Sequence, residues 1–168
     1  MTNERTTHLI QVIEKNPGIK YREIMRFTGL KNGVLSHYLD KLVKSGLVQV
    51  VREPRQTRFY PLEVSETDSK IIKNLRRTTT RKIIHSLMIN KEGLSFNEIV
   101  DKVNKAPSTV SFYVSQLVDE GILSLSLQDR KKIFLVKDRD SVDKLIEDYQ
   151  PGLLDKPATG LEDIINAL

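Results

Sequence analysis

The chain has 168 residues and a net charge of +5, its residues are 39% hydrophobic and 29% charged, and it contains no cysteine. This length holds one ordinary domain or two small ones, the composition is that of a globular chain, and the missing thiols exclude disulfides, thiolate metal sites and cysteine nucleophiles. No stretch approaches the roughly 18 apolar residues of a membrane span and the polar residues 1–5 are no signal peptide, so we expect a cytoplasmic protein without a membrane partner.

The first part of the chain predicts three helices and a β-hairpin. Apolar residues at helical spacing alternate with Gly, Pro and Asn stops, and the third helix ends at Gly46 because glycine adopts the left-handed conformation that closes a helix. In chain order we expect a helix that stops at 16–18, a short second helix, a turn at 28–29, a third helix over about 32–44, a strand over 47–51, a turn over 53–57 and a strand over 58–60.

The next part predicts the same order of elements. Its third helix begins at Pro107, since proline suits the first turn of a helix, where its missing N–H has no partner to lose. The expected elements are a helix that stops near 91–93, a helix containing Ile99 and Val103, a third helix over about 107–120, a strand over 123–127, a turn over 129–131 and a strand over 133–136.

These two parts are copies of one unit, because the sequence aligns with itself without a gap after a shift of 75 residues. Ten pairs are identical in this register: Gly18 and Gly93, Glu23 and Glu98, Ile24 and Ile99, Ser36 and Ser111, Tyr38 and Tyr113, Leu42 and Leu117, Val43 and Val118, Gly46 and Gly121, Arg55 and Arg130, and Phe59 and Phe134. We therefore predict a first domain over 1–64, a linker over 65–78 and a second domain over 79–137.

Three helices followed by a hairpin form the helix-turn-helix arrangement with a wing, which is a mainly α fold with small β-hairpins (α+β). The third helices and following strands, GVLSHYLDKLVKSGLV over 33–48 and STVSFYVSQLVDEGIL over 108–123, resemble those of MarR-type and ArsR-type winged-helix regulators. The tandem form is similar to two-winged-helix regulators common in archaea. A second copy stands where MarR-type proteins carry dimerisation helices, and the chain lacks the cysteines of many ArsR-type metal sensors, so no metal or cofactor is expected.

The third helices are the expected readers of the DNA major groove, because their apolar stripe is committed to the core. In the first copy, the exposed face of the third helix offers Lys31, Asn32, Ser36, His37 and Lys41. Asparagine suits adenine, and the basic side chains suit guanine. In the second copy, the exposed face of the third helix offers Ser108, Thr109, Ser111, Phe112 and Gln116, without Lys or Arg. Phe112 suits either a thymine methyl group or a protein interface. The first copy is thus the expected principal reader.

The wings are expected to contact phosphates or the minor groove, because both are basic. Their cations are Arg52, Arg55 and Arg58 in the first wing, and Arg130, Lys131 and Lys132 in the second. Residues 1–137 hold 24 Lys and Arg against 14 Asp and Glu, a net charge of +10. Such a charge suits a polyanionic partner. The basic cluster over 76–82 is open to two interpretations, a further phosphate contact or an exposed linker.

Residues 138–168 hold 3 Lys and Arg against 8 Asp and Glu, a net charge of −5, so this part is not expected to contact phosphate. Residues 141–149 predict an amphipathic helix with Ser141 as its N-cap, ended by Pro151 and Gly152. It serves either as a strut for the second domain or as a dimerisation or partner helix. Residues 155–160 read as a linker and 161–168 as a last short helix.

These features predict a DNA-binding transcription regulator that selects duplex sequences, associated with the nucleoid and not an enzyme. His8 and His85 have no second ligand one helical turn away, and no linear nucleophile motif or glycine-rich phosphate loop occurs. The main alternative is a tandem winged-helix protein-interaction scaffold, with RNA binding as a third option. A homodimer, or a protein partner for the second domain or the C-terminal helix, remains open.

Overall fold

The computed structural model describes residues 4–150 and 152–153. In chain order these residues form α1 (Glu4–Lys15), β1 (Ile19–Lys20), α2 (Tyr21–Thr28), α3 (Asn32–Lys44), β2 (Val48–Glu53), β3 (Gln56–Pro61), α4 (Glu66–Arg76), α5 (Thr78–Ile89), α6 (Phe96–Val103), α7 (Pro107–Asp119), β4 (Leu123–Gln128), β5 (Lys131–Val136) and α8 (Arg139–Tyr149). This order confirms the predicted fold class.

The described chain divides into two compact units. One contains the residues up to Ser69 together with 149–150 and 152–153, and the other spans Lys70–Asp148. The boundary lies within α4, and the last described residues return to the first unit. Each unit contains one copy of the repeat.

The core of the first unit lies between its three helices and a small sheet. Its sheet has the strand order β1-β3-β2, and Ile19 of β1 pairs with Phe59 of β3. The buried apolar side chains come from every element of the unit: Leu9, Ile13, Ile19, Ile24, Leu35, Leu39, Leu42, Val48 and Phe59. Burial of this one face of each helix leaves the opposite face of α3 in solvent.

The second unit repeats the strand register of the first. Leu94 bridges to Phe134, as Ile19 pairs with Phe59 in the first unit at positions 75 residues earlier. The end of the third helix is repeated as well, since Gly46 and Gly121 both adopt positive φ, of 70° and 76°. The shift seen in the sequence is therefore a repeat of backbone conformation.

The predicted linker over 65–78 contains the boundary between the two units, and its residues 66–76 form the helix α4. Ile71, Ile72 and Leu75 are buried at helical spacing, which provides an apolar stripe that the surrounding charges obscure in the sequence. Ser65 lies directly before this helix, and its Oγ accepts a hydrogen bond from the N–H of Asp68 at 3.0 Å.

The basic cluster over 76–82 forms a folded connection between α4 and α5 and is not an exposed linker. Arg76 and Thr80 are buried. The Thr80 hydroxyl donates to the carbonyl oxygen of Asn74 at 2.7 Å, and the Arg81 guanidinium donates to the carbonyl oxygens of Leu75 and Arg76 at 3.3 and 3.2 Å. These bonds satisfy carbonyl groups at the end of α4.

The helix α8 packs within the second unit, as the strut interpretation predicts. Val142 and Leu145 are buried, and the Arg139 guanidinium donates to the carbonyl oxygens of Leu87 and Met88 at the end of α5. The predicted N-cap is wrong by three positions. The cap is Asp138, the residue directly before α8. Pro151 and the predicted segments 155–160 and 161–168 lie outside the described residues.

Asp138 accepts hydrogen bonds from the N–H and the hydroxyl of Ser141, at 3.1 and 2.6 Å. These bonds stabilise the carboxylate and lower the pKa of Asp138 below its ordinary value of 3.8. Aspartate and serine are both good N-caps, so the sequence pattern alone favours neither residue.

Candidate nucleic-acid interface

The predicted contact residues of α3 all lie on its solvent face. Lys31, Asn32, Ser36, His37 and Lys41 are exposed, whereas Leu35 and Leu39 on the opposite face are buried. The structure therefore brings this predicted set together on one side of one helix.

The first turn of α3 is open to anions. Its N-cap Lys31 makes no side-chain cap hydrogen bond, and no acidic residue lies in that turn. The same two features recur at Ala106, the N-cap of α7. By contrast, α6 begins with Ser95, whose side chain accepts a hydrogen bond from the N–H of Glu98. The first amide groups of α3 and α7 thus have no side-chain cap, and amides of this kind attract phosphate.

A groove of about 760 Å³ lies between α3 and the wing formed by β2 and β3. Five basic or imidazole side chains line it: Lys20, Arg22, His37, Arg52 and Arg55. They come from β1, α2, α3 and the wing, which are separated in sequence and meet through the pairing of β1 with β3. This convergence produces a groove suited to a polyanionic backbone.

Two carboxylates also line the groove, and both have partners. Asp40 forms an ion pair with Lys44 at 2.9 Å, and Glu53 accepts a hydrogen bond from the Gln56 amide at 3.0 Å. The hydrogen bond from Lys44 holds the pKa of Asp40 below its ordinary value of 3.8, so this carboxylate is charged at neutral pH. The cations still outnumber the carboxylates along the groove.

Tyr21, at the start of α2, contacts the first residue of α3. Its hydroxyl shares one proton between two acceptors, the backbone oxygen of Asn32 at 2.8 Å and the nearer side-chain Oδ1 at 2.6 Å. The same tyrosine lines the groove. Tyr21 therefore links the groove to the first residue of α3.

The second unit lacks most of these charges at the matching positions. A shift of 75 residues pairs Lys20 with Ser95, Arg22 with Asn97, His37 with Phe112 and Arg52 with Leu127. Phe112 keeps the geometry of its counterpart, since its ring meets Tyr113 edge to face at 5.2 Å, as His37 meets Tyr38 at 5.5 Å. The scaffold is repeated, but the cationic groove is not.

The predicted contacts of α7 are only partly at the surface. Ser108, Ser111 and Phe112 are exposed, whereas Thr109 and Gln116 are half-buried. The Gln116 amide donates to Glu120 at 2.6 Å, and the same carboxylate forms an ion pair with Lys73 at 3.2 Å. This bond holds the Gln116 side chain against its own helix.

An apolar surface takes the place of charge in the second unit. Phe112, Leu125 and Leu127 have relative exposures of 66%, 49% and 72%. Leu125 and Leu127 lie two residues apart on β4 and so point to the same side of the strand. Phe112 and Leu127 stand at the positions of His37 and Arg52, which line the groove of the first unit. On the basis of this correspondence we refer to the three residues as the apolar face of the second unit.

The wing residues divide into exposed tips and one buried arginine. Arg52, Arg55, Arg130, Lys131 and Lys132 are exposed. At the second tip, Asp129 and Arg130 have φ values of 49° and 65°, the left-handed pair of a tight hairpin turn.

Arg58 is placed differently from its prediction as a DNA contact. It is only 2% exposed, and its guanidinium donates to the carbonyl oxygen of Gly18 at 2.7 Å. Along β3 it points inward, which the basic composition of the wing concealed. A phosphate cannot reach it in this arrangement.

Lys20 and Arg22 also line the groove, although the sequence did not predict them as contacts. Both precede the third helix and belong to elements that the prediction treated as scaffold. The signal available in the sequence was the repeat itself, because these positions are basic in the first copy and neutral in the second.

Among the described residues, no group of three metal-ligating side chains occurs, and no helix is long and apolar enough to cross a membrane. His8 and His85 are both exposed on their helices.

Two segments of the sequence match one protein family, whose description is winged helix-turn-helix DNA-binding. The matched residues are 2–49 and 76–124, one segment in each copy of the repeat and together more than half of the chain. No curated protein matches this chain.

Proposed function

We propose a function for this chain, which belongs to the winged helix-turn-helix DNA-binding family. It is a transcription regulator and binds selected duplex DNA sequences mainly through its first unit. The observation that carries this proposal is the cationic groove between α3 and the first wing. A binding role of this kind needs no catalytic step, and we place it in the cytoplasm, on the nucleoid.

In this proposal α3 enters the major groove and the first wing contacts the backbone or the minor groove. Base edges are read by Lys31, Asn32, Ser36, His37 and Lys41, and phosphates are bound by Lys20, Arg22, Arg52 and Arg55. The uncapped first turn of α3 adds backbone N–H groups for a phosphate.

The second unit contributes less to base recognition in this proposal. Its contacts are Ser108, Thr109, Ser111 and Phe112 on α7, with Arg130, Lys131 and Lys132 on the wing. We leave out Gln116 because Glu120 accepts its hydrogen bond, and Arg58 of the first unit because it is buried. Cations at the tip alone favour backbone binding with little sequence information.

A second candidate function is protein interaction through the second unit. The apolar face formed by Phe112, Leu125 and Leu127 favours it, because exposed apolar side chains that cluster on one face are typical of interaction surfaces. A homodimer and a separate protein partner both fit this candidate.

Fluorescence anisotropy with a labelled duplex tests the main proposal. We expect binding to a mixed-sequence duplex whose affinity falls steeply and linearly with the logarithm of salt concentration. In-vitro selection should then enrich a defined sequence, and competition with duplex RNA should be weak. A salt slope near zero, or selection that enriches nothing, would reject the proposal.

A further inference from the structure

We infer that Tyr21 is a positioning residue for base recognition, and that it fixes Asn32 as a hydrogen-bond donor that selects guanine. This inference rests on the proposed function, because it concerns how the first unit reads the major groove. It begins with a contact between α2 and α3.

The Tyr21 hydroxyl shares its one proton between the two oxygen atoms of Asn32, and the side-chain Oδ1 is the nearer acceptor. It lies 2.8 Å from the backbone oxygen and 2.6 Å from the side-chain Oδ1. Asn32 is exposed and is the first residue of α3, the part of a recognition helix that reaches base edges. The contact therefore acts on a side chain that is placed to meet DNA.

A planar amide that is held at one end has a defined orientation. With Oδ1 directed to Tyr21, the Nδ2 group is the end of Asn32 that makes no hydrogen bond within the described part of the chain. Adenine is read by an amide that offers Oδ1 and Nδ2 together. Guanine presents two acceptors, N7 and O6, and suits a group that only donates. The restraint thus favours guanine over the adenine expected from the sequence.

The second unit shows that this hydroxyl is not needed for the fold. Phe96 stands at the position of Tyr21, and Pro107 stands at the position of Asn32. The hydroxyl and the amide are both missing there, while the backbone register is the same. The Tyr21–Asn32 contact is therefore specific to the unit that has the cationic groove.

The test begins with in-vitro selection on the full chain, followed by anisotropy with duplexes that carry each base at each selected position. Asn32→Ala identifies the position that Asn32 reads, as the one where discrimination is lost. We expect guanine there in the unaltered protein. Tyr21→Phe should then reduce the preference for guanine over adenine by about two- to tenfold, the range of one hydrogen bond.

Two controls separate positioning from stability. Tyr60→Phe removes another tyrosine hydroxyl of the same unit, which donates to the carbonyl oxygen of Ser69 at 3.2 Å. Neither residue belongs to α3, so this variant should leave base preference unchanged. Tyr21→Phe in the Asn32→Ala background should have no further effect on discrimination. Affinity for random duplex and its salt slope should be the same for Tyr60→Phe and the unaltered protein, because Tyr60 does not line the groove.

The outcomes are distinct. Adenine at the Asn32 position in the unaltered protein would overturn the inference, even if Tyr21→Phe did not fold. So would a Tyr21→Phe variant that weakens all bases equally, or an Asn32→Ala variant that changes no position. Failure of the unaltered protein to bind any duplex would instead reject the proposed function.

Discussion

Arg58 donates a hydrogen bond from its guanidinium to the carbonyl oxygen of Gly18, at 2.7 Å in the interior of the first unit. The bond joins the inner strand of the wing to the loop before β1, 40 residues earlier in the chain. It holds the wing close to the start of α2. An arginine that looks like a DNA contact in the sequence therefore supports the groove from within.

Arg58→Met should destabilise the protein. The side chain is buried, and loss of a hydrogen bond from a charged donor costs about 1.5–3 kcal/mol of unfolding free energy. Urea unfolding measures the change. The matched control is Arg55→Met, an exposed arginine at the tip of the same wing, which should alter stability little. Equal stability of the two variants would contradict the structural role.

Arg55→Ala should weaken binding to all duplexes alike, because the proposed function assigns this exposed wing-tip cation to the backbone and not to base edges. The slope of log affinity against log salt should fall by about 1, the value for one lost phosphate contact. Anisotropy over a range of salt concentrations gives both quantities. If every affinity stayed unchanged, our assignment of the wing tip would be wrong.

Neutralising α3 should weaken DNA binding more than any change on α7. Lys31→Gln together with Lys41→Gln removes two exposed cations, whereas the matched pair Ser108→Ala and Gln116→Ala removes none. We expect the first pair to lose more affinity for the selected duplex than the second, because the proposed function assigns both lysines to base edges. Equal losses in affinity would show that the two units contribute equally to DNA binding.

Asp138→Ala should destabilise the second unit, because it removes the cap of α8. The pKa of Asp138 is lower in the folded protein than its ordinary value of 3.8, so its contribution is present above that pH and is lost as the pH falls through the folded pKa. Thermal unfolding should therefore show a gap between the variant and the unaltered protein at pH 7 that closes on acidification. A gap that grew on acidification would refute this cap.

Gly93→Ala should destabilise the protein by about 1–3 kcal/mol, as overpacking does. A Cβ atom at this position would lie 2.7 Å from the carbonyl oxygen of Phe134 and would clash with Ile133, and the backbone has a φ of 91°. Gly33→Ala is the matched control, because a Cβ there meets nothing within 4 Å. It should raise the unfolding free energy by up to about 1 kcal/mol, since alanine is the better helix former. Chemical unfolding distinguishes the two.

Local patterns were sufficient to predict most helices. The predicted third helices over 32–44 and 107–120 are α3 at Asn32–Lys44 and α7 at Pro107–Asp119. Apolar periodicity and terminal Gly or Pro carry that information along the chain itself. The strands were predicted too short, since β2 extends to Glu53 and β3 begins at Gln56. Hairpin ends depend on cross-strand pairing, which a single segment does not encode.

The interface was only partly predictable, for the same reason. Exposure of His37 and Lys41 follows from helical periodicity, because the buried stripe of α3 is visible in the sequence. The inward direction of Arg58, the bond from Gln116 to Glu120 and the presence of Lys20 in the groove depend on contacts between elements. Charge composition alone treats all these side chains as surface groups.

The sequence by itself determined that a three-helix unit with a hairpin was duplicated at a distance of 75 residues, because the repeat lies in apolar and turn positions that set local conformation. Only the tertiary structure decided which cations line the groove and that the Tyr21 hydroxyl orients the Asn32 side chain. Pairing of β1 with β3 brings the start of α2 beside α3 and the wing, and this proximity places Tyr21 against Asn32. Such a contact depends on distance in space, which chain order does not specify.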